Sequence, residues 1–210
     1  MKRKSYKGAG VMLFRYNTKY MRFEVLLGKR AVPKGYGQWA IIGGKMEYSD
    51  TAYSECALRE FKEEAGVDLK TLQIQNLAVK NIDIPYFHWR TYLILTWGYF
   101  PEFKKNWENS ELRWFPVSIV SKQNLWIKLD QELRAFSRLV KKHELIIAYH
   151  AGMPFEDANL LAAYRLLTQM KNRNPQSVKT YFLQHMDISE KEAGRLSRML
   201  KRYYEESVSE

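Results

Sequence analysis

Gly43-Gly44-Lys45-Met46-Glu47-Tyr48-Ser49-Asp50 leads, after eight intervening residues, into Arg59-Glu60-Phe61-Lys62-Glu63-Glu64-Ala65-Gly66-Val67. Thr51 to Ala65 reads as a helix, and Gly66 stops it. At roughly 100° per residue, Glu60, Glu63 and Glu64 fall within about one third of the helix circumference. Ala57, Leu58, Phe61 and Ala65 share the opposite face, which suits packing on a sheet. Three carboxylates so close repel one another unless a cation sits among them. A donor set made of oxygen alone suits Mg²⁺ or Mn²⁺. Arg59 precedes Glu63 by one helical turn, at ion-pair spacing, and is expected to hold that carboxylate in place. The competing reading is a surface helix with a solvated Glu/Lys face. The glycine loop in front of the helix tells against it.

Outward from this stretch, the first 120 residues read as strands around one strong helix. Gly10-Val11-Met12-Leu13-Phe14 and Phe23-Glu24-Val25-Leu26-Leu27 are apolar runs joined by the turn Tyr16-Asn17-Thr18-Lys19, which predicts a hairpin. Trp39 to Ile42 runs into the double glycine. Leu72 to Val79 alternates loosely, Thr91 to Phe100 reads as a buried strand, and Leu112 to Phe115 is a short strand ended by Pro116. Leu129 to Lys142 predicts a second helix. Strands with helices laid against them make an α/β or α+β sandwich. After residue 150 the strand signals vanish. Helices are expected over 156–172, 175–186 and 189–204, with Asn174-Pro175 as a cap and Ser189/Glu192 as a capping box. The expected organisation is one domain over 1–150 and a helical module of three helices over 151–210, with helix-turn-helix-like spacing between the last two.

The quoted stretch resembles the Nudix hydrolase signature, G-x5-E-x7-R-E-U-x-E-E-x-G-U, in which U is a bulky aliphatic residue. Gly44, Arg59, Glu60, Glu63, Glu64, Gly66 and Val67 match it, with Phe61 at the first U. Asp50 stands where the family has a loop glutamate, eight residues rather than seven separate it from Arg59, and Ile42 replaces the usual proline. Gly37-Gln38-Trp39-Ala40-Ile41-Ile42-Gly43-Gly44 resembles the strand that leads into the family's box, and Glu108 and Glu111 before Trp114 resemble its closing segment. The resemblance covers residues 8 to about 142.

It implies a Nudix-type sandwich, a mixed sheet between helices, that hydrolyses a nucleoside diphosphate linked to another group with Mg²⁺ or Mn²⁺. Carried over by position, Glu63 and Glu64 are metal ligands, Glu60 is a further ligand or the base for water, and the Gly43 carbonyl is an additional ligand. Arg59 orients the acidic cluster, with Gly44 and Asp50 in support. The MutT-like branch is the most similar, which implies cleavage of a (deoxy)nucleoside triphosphate to monophosphate and pyrophosphate. Trp39, Tyr86, Phe87, Trp89 and Tyr92 are candidates to stack on a base, and Lys29, Arg30 and Lys34 to contact phosphate. Cys56 reads as a packing residue.

Two other readings stay open: a Nudix-related transcription regulator with C-terminal DNA-binding helices, and a pyrophosphohydrolase of ADP-ribose, nucleotide sugars or RNA 5′ ends. Charge bears on them. The net charge is +11, yet residues 151–210 hold nine basic and eight acidic residues, so the positive field belongs to the first part. In the tail, Lys191, Arg195, Arg198 and Arg202 form a basic stripe whose start is flanked by Glu190 and Glu192. Packing or homodimerisation is therefore expected of the tail ahead of nucleic-acid binding. Met1-Lys2-Arg3-Lys4 precedes no apolar stretch of signal-peptide length, no apolar run is long enough for a membrane span, and Cys56 is the lone cysteine. These point to a cytoplasmic protein.

Overall fold

The computed structural model describes residues 5–127, 129–170 and 174–208, with the side chains of 175 and 202–208 outside that description. The basic start Met1–Lys4 and the side chain of the stripe residue Arg202 therefore lie outside the described residues. The chain divides into two compact units, Met1–Lys142 and His143–Glu210.

The first unit is a seven-stranded sheet between helices. The strands are β1 (Tyr6–Asn17), β2 (Arg22–Arg30), β3 (Trp39–Ala40), β4 (Ile42–Lys45), β5 (Gln73–Ile84), β6 (Phe87–Trp97) and β7 (Asn109–Pro116). The order is β3-β2-β1-β6-β5, with β4 also paired to β1 and β7 to β2. β1 runs parallel to β6, Gly8 opposite Trp89, and the other pairings are antiparallel, so the sheet is mixed. The expected hairpin is β1–β2, with Phe14 opposite Val25.

β1 is buried from Gly8 to Phe14 because both faces of the sheet are covered. Alternate side chains point to opposite faces. Ala9, Val11 and Leu13 join Leu26, Ile42 and Ile94 beneath α1 (Tyr53–Ala65), against Cys56, Ala57, Phe61 and Ala65. On the other side Phe14 stacks on Phe136 of α2 (Asp130–Lys142), with ring centroids 3.5 Å apart. α1 ends as the sequence predicts: Gly66 is left-handed at φ 70°, and its N–H donates to the Lys62 carbonyl at 3.0 Å.

The second unit holds α3 (Glu144–Ala151), α4 (Ala158–Gln169), α5 (Pro175–His185) and α6 (Glu190–Val208). Its core joins Leu145, Leu160, Leu167, Phe182, Leu196 and Leu200. Asn174 caps α5 by accepting from Ser177 N–H at 2.9 Å, and Ser189 accepts from Glu192 N–H at 3.2 Å. The first helix, α3, departs from the sequence expectation of three. Leu145, Ile147, Ala148 and Ala151 are all buried, so this short segment lacks the polar stripe by which a helix is read. Among the described residues, no helix is long and apolar enough to cross a membrane.

Candidate active site

α1 carries Glu60 and Glu64 one turn apart, and its apolar face fixes both beneath the strand that bears the double glycine. They are 9% and 6% exposed. Gly43 N–H donates to Glu64 Oε1 at 3.0 Å. Gly44 lies so close to Glu60 that a Cβ there would fall 2.5 Å from Oε2. The second glycine is thus a steric requirement of the carboxylate. Gly43 has the same character, since a Cβ there would strike the backbone of Gly10 in β1.

Arg59 ties the loop to the helix. It donates to both Asp50 oxygens at 3.1 and 2.9 Å, to Glu60 Oε1 at 3.0 Å, to Glu63 Oε2 at 3.0 Å and to the Lys45 carbonyl at 3.0 Å. The forked pair fixes the Asp50 carboxylate against α1. Asp50 also accepts from Glu47 N–H at 2.8 Å. The Arg59 guanidinium holds the Asp50 carboxyl below its ordinary range.

Glu60 and Glu64 move the other way. Burial raises both, Glu64 to about 7, with the charge of Glu108 pushing in the same direction. Asn109, at the start of β7, answers part of this by donating to Glu64 Oε2 at 2.6 Å. The sequence marks Asn109 only by its place between Glu108 and Glu111. The register across from β2, with a bulge at Lys29/Arg30, is what aims it at Glu64. Glu63 is exposed and turned to Arg59. Among the described residues, no three acidic, histidine or cysteine side chains already surround a common point. Cys56 is buried, its Sγ 3.7 Å from the Gly44 carbonyl, and burial pushes its thiol up to about 11.

A cavity of about 590 Å³ adjoins Gly43. Trp89, Phe87, Arg30 and Lys34 line it, as does Trp126, which no sequence motif singles out. The other candidates lie elsewhere. Trp39 is 7% exposed and packs edge-on against Phe115, with the Lys29 ammonium 5.9 Å from its ring. Neither lines the cavity. Tyr92 points to the opposite face from Trp89 and packs into the core under α1. The alternation of strand side chains, invisible until the register is known, separates Trp89 from Tyr92. Tyr86 is exposed at the β5–β6 turn.

A NUDIX domain family model matches residues 6–137. The chain belongs to the Nudix family. With membership come the Nudix reaction, hydrolysis of a phosphoric anhydride bond, and the family's general use of divalent metal ions. Solved Nudix structures repeat the fold. An Ap4A hydrolase from C. elegans is 19% identical, with 65% of this chain and 98% of that chain covered at a TM-score of 0.54. The Nudix domain of Shewanella oneidensis NrtR, solved with ADP ribose, is 20% identical, covering 66% and 90% at 0.51. A MutT/nudix family protein from Enterococcus faecalis is 17% identical and covers 97% and 83% at 0.55, so that likeness extends across both units.

Proposed function

We propose that this Nudix protein is a Mg²⁺-dependent pyrophosphohydrolase that cleaves a nucleoside triphosphate to monophosphate and pyrophosphate. The observation that carries the reading is the buried pair Glu60 and Glu64 under Gly43-Gly44, beside an aromatic cavity that also presents Arg30 and Lys34. The donor set fits a hard cation: the carboxylates are raised by burial, oxygen is the only donor type, and Gly44 leaves Glu60 the space it occupies. Glu60, Glu63, Glu64 and the Gly43 carbonyl would hold Mg²⁺ or Mn²⁺. A divalent cation there neutralises the diphosphate and makes water a better nucleophile.

The chain's own groups do the rest. Arg59 keeps Glu60 oriented through Oε1, which leaves Oε2 to accept a proton from water. Glu63, exposed and bonded to Arg59, is the carboxylate of the three that would be free to turn toward a bound cation. Gly43 N–H and Asn109 fix both oxygens of Glu64 without rotamer freedom. Arg30 and Lys34 attract the phosphates. The test is a panel of nucleoside triphosphates, Ap4A and ADP-ribose incubated with and without Mg²⁺, with products identified. Metal-dependent release of pyrophosphate from triphosphates is expected. Turnover confined to ADP-ribose or Ap4A overturns the substrate assignment.

For the second unit we infer packing or homodimerisation in preference to DNA binding. Arg195, at the middle of the basic stripe, is bonded to Asp157 at 2.9 Å and to Glu192 at 2.6 and 2.8 Å. Those bonds withdraw it from phosphate. Sedimentation of the full chain tests the oligomer, and a salt-resistant, sequence-dependent DNA complex overturns the inference.

A further inference from the structure

The cavity beside Gly43 is built for a flat ring. The Trp89 indole lies against β1, where a Cβ on Gly8 would come within 2.7 Å of it and one on Gly10 within 3.0 Å. Trp89 Nε1–H donates to Thr91 Oγ1 at 3.0 Å, so the ring is pinned and its own donor is spent. Trp126 is pressed from behind by the backbone at Gly35, which has no room for a side chain, and the Arg30 guanidinium sits 5.4 Å from its ring centre. Fixed indoles of this kind take planar heteroaromatic partners by stacking.

One lining group has no assigned task. Glu132, in the first turn of α2, is 8% exposed and borders the cavity. Among the described residues no donor bonds its carboxylate, yet none of their fully buried side-chain polar atoms lacks a partner. Its oxygens therefore keep some access to solvent, on a residue that borders the cavity. A ligand that brings donors can meet a carboxylate that no described protein donor meets. The helix N-terminus behind it favours an anion at this place.

Resting on the nucleotide-hydrolase reading above, we propose that Glu132 is the specificity-determining residue of this pocket and selects a guanine-type base. An ionised carboxylate is an acceptor at both oxygens. Guanine alone among the common bases offers two adjacent donors, N1–H and the N2 amino group, which match it in parallel. Adenine sets its N1 acceptor beside the N6 donor, and cytosine sets N3 beside N4, so each turns a lone pair toward Glu132. Uracil and thymine offer a single N–H between two carbonyls. The pocket therefore attracts one edge pattern and repels the others.

The experiment compares the wild type with Glu132→Gln and Glu132→Ala, using GTP, ATP, CTP and UTP. Hydrolysis is followed in Mg²⁺, and binding is followed in EDTA by tryptophan fluorescence. Thermal melting checks that each variant is folded. The wild type is expected to favour GTP over ATP by roughly ten- to a hundredfold in kcat/KM and in affinity. Glu132→Gln, whose amide is one donor and one acceptor, should bring that ratio to one or invert it. Glu132→Ala should lower it by losing GTP. No preference in the wild type, or a preference unchanged in both folded variants, overturns the proposal. Guanine-selective, Glu132-dependent binding without hydrolysis of any of the four overturns the hydrolase reading and supports this one. Base-blind hydrolysis in Mg²⁺ does the reverse.

Discussion

Arg59 and Arg195 each stand among carboxylates, Arg59 on the acidic helix of the Nudix unit and Arg195 on the last helix of the second unit. Around Arg195 the charges are satisfied. Asp157 and Glu192 both bond it, and their carboxyls are held below the ordinary range, Asp157 by the Leu160 N–H and then Arg195, Glu192 by Arg195. Around Arg59 they are not. One guanidinium serves Asp50, Glu60 and Glu63, while Glu64 stands apart, so burial and mutual repulsion push Glu60 and Glu64 upward. A balanced network at the surface is architecture, worth little. An unbalanced and buried one is held in a state that a cation improves.

The strongest way to break this contrast is to remove charge from each cluster. Glu60→Gln and Glu63→Gln should each lower kcat at least about a hundredfold in saturating Mg²⁺, with the melting temperature unchanged or higher. A variant that keeps near-wild-type turnover takes its carboxylate out of the metal site. Arg195→Ala should leave kcat unchanged and shift melting by no more than about 3 °C.

Acidity gives a second contrast. Glu64 is raised to about 7 from its ordinary 4.5, so its neutral form stabilises the fold below pH 4.5 and that stability is lost as pH rises through 7. Metal-free protein should therefore be less stable at pH 8.5 than at pH 5.5, by about 2 kcal/mol in urea denaturation. Glu60, also raised by burial, adds in the same direction, whereas His150, lowered by burial, opposes it toward acid. Asp50 and Glu24 are lowered, so their contributions change at more acidic pH, outside this window. Millimolar Mg²⁺ should shrink the difference. A flat profile in EDTA would show that Glu64 is not strained.

The supporting groups should respond less than the core pair. Asn109→Ala removes the donor to Glu64 Oε2 and is expected to cost roughly tenfold in kcat, with little change in KM. Asp50→Ala should be milder than Glu63→Gln, and Asp50→Glu tolerated, because Asp50 reaches the cluster through Arg59. Loss in Asp50→Ala as deep as in Glu63→Gln would make Asp50 a ligand in its own right.

The features legible in the sequence are the local ones. The acidic helix and its Gly66 stop, the Arg59–Glu63 pair and the Asn174 and Ser189 caps each depend on residues within one or two turns. Lys29, Trp39 and Tyr92 go elsewhere because a strand residue's side of the sheet is set by pairing, which the sequence does not state. Asn109 and Glu132 are hidden for the same reason. Asn109 lies 45 residues from its partner Glu64, and Glu132 looks like any acid in a first helical turn until the cavity in front of it is seen. Helix α3 is buried on too many sides to show a period.

The close fit around β1 carries a lesson about tolerance to change. Gly8 is squeezed between the Gly44 carbonyl and the Trp89 ring, and Gly10 between the Ile42 carbonyl and the same ring. Neither touches the reacting atoms. In a saturation scan scored by survival, these two positions should nevertheless rank beside the glutamates, since even alanine would drive the double-glycine strand and the indole apart. Intolerance there would record the spacing of two surfaces, and a map that equated intolerance with chemistry would place the reaction on a strand that only keeps the distance.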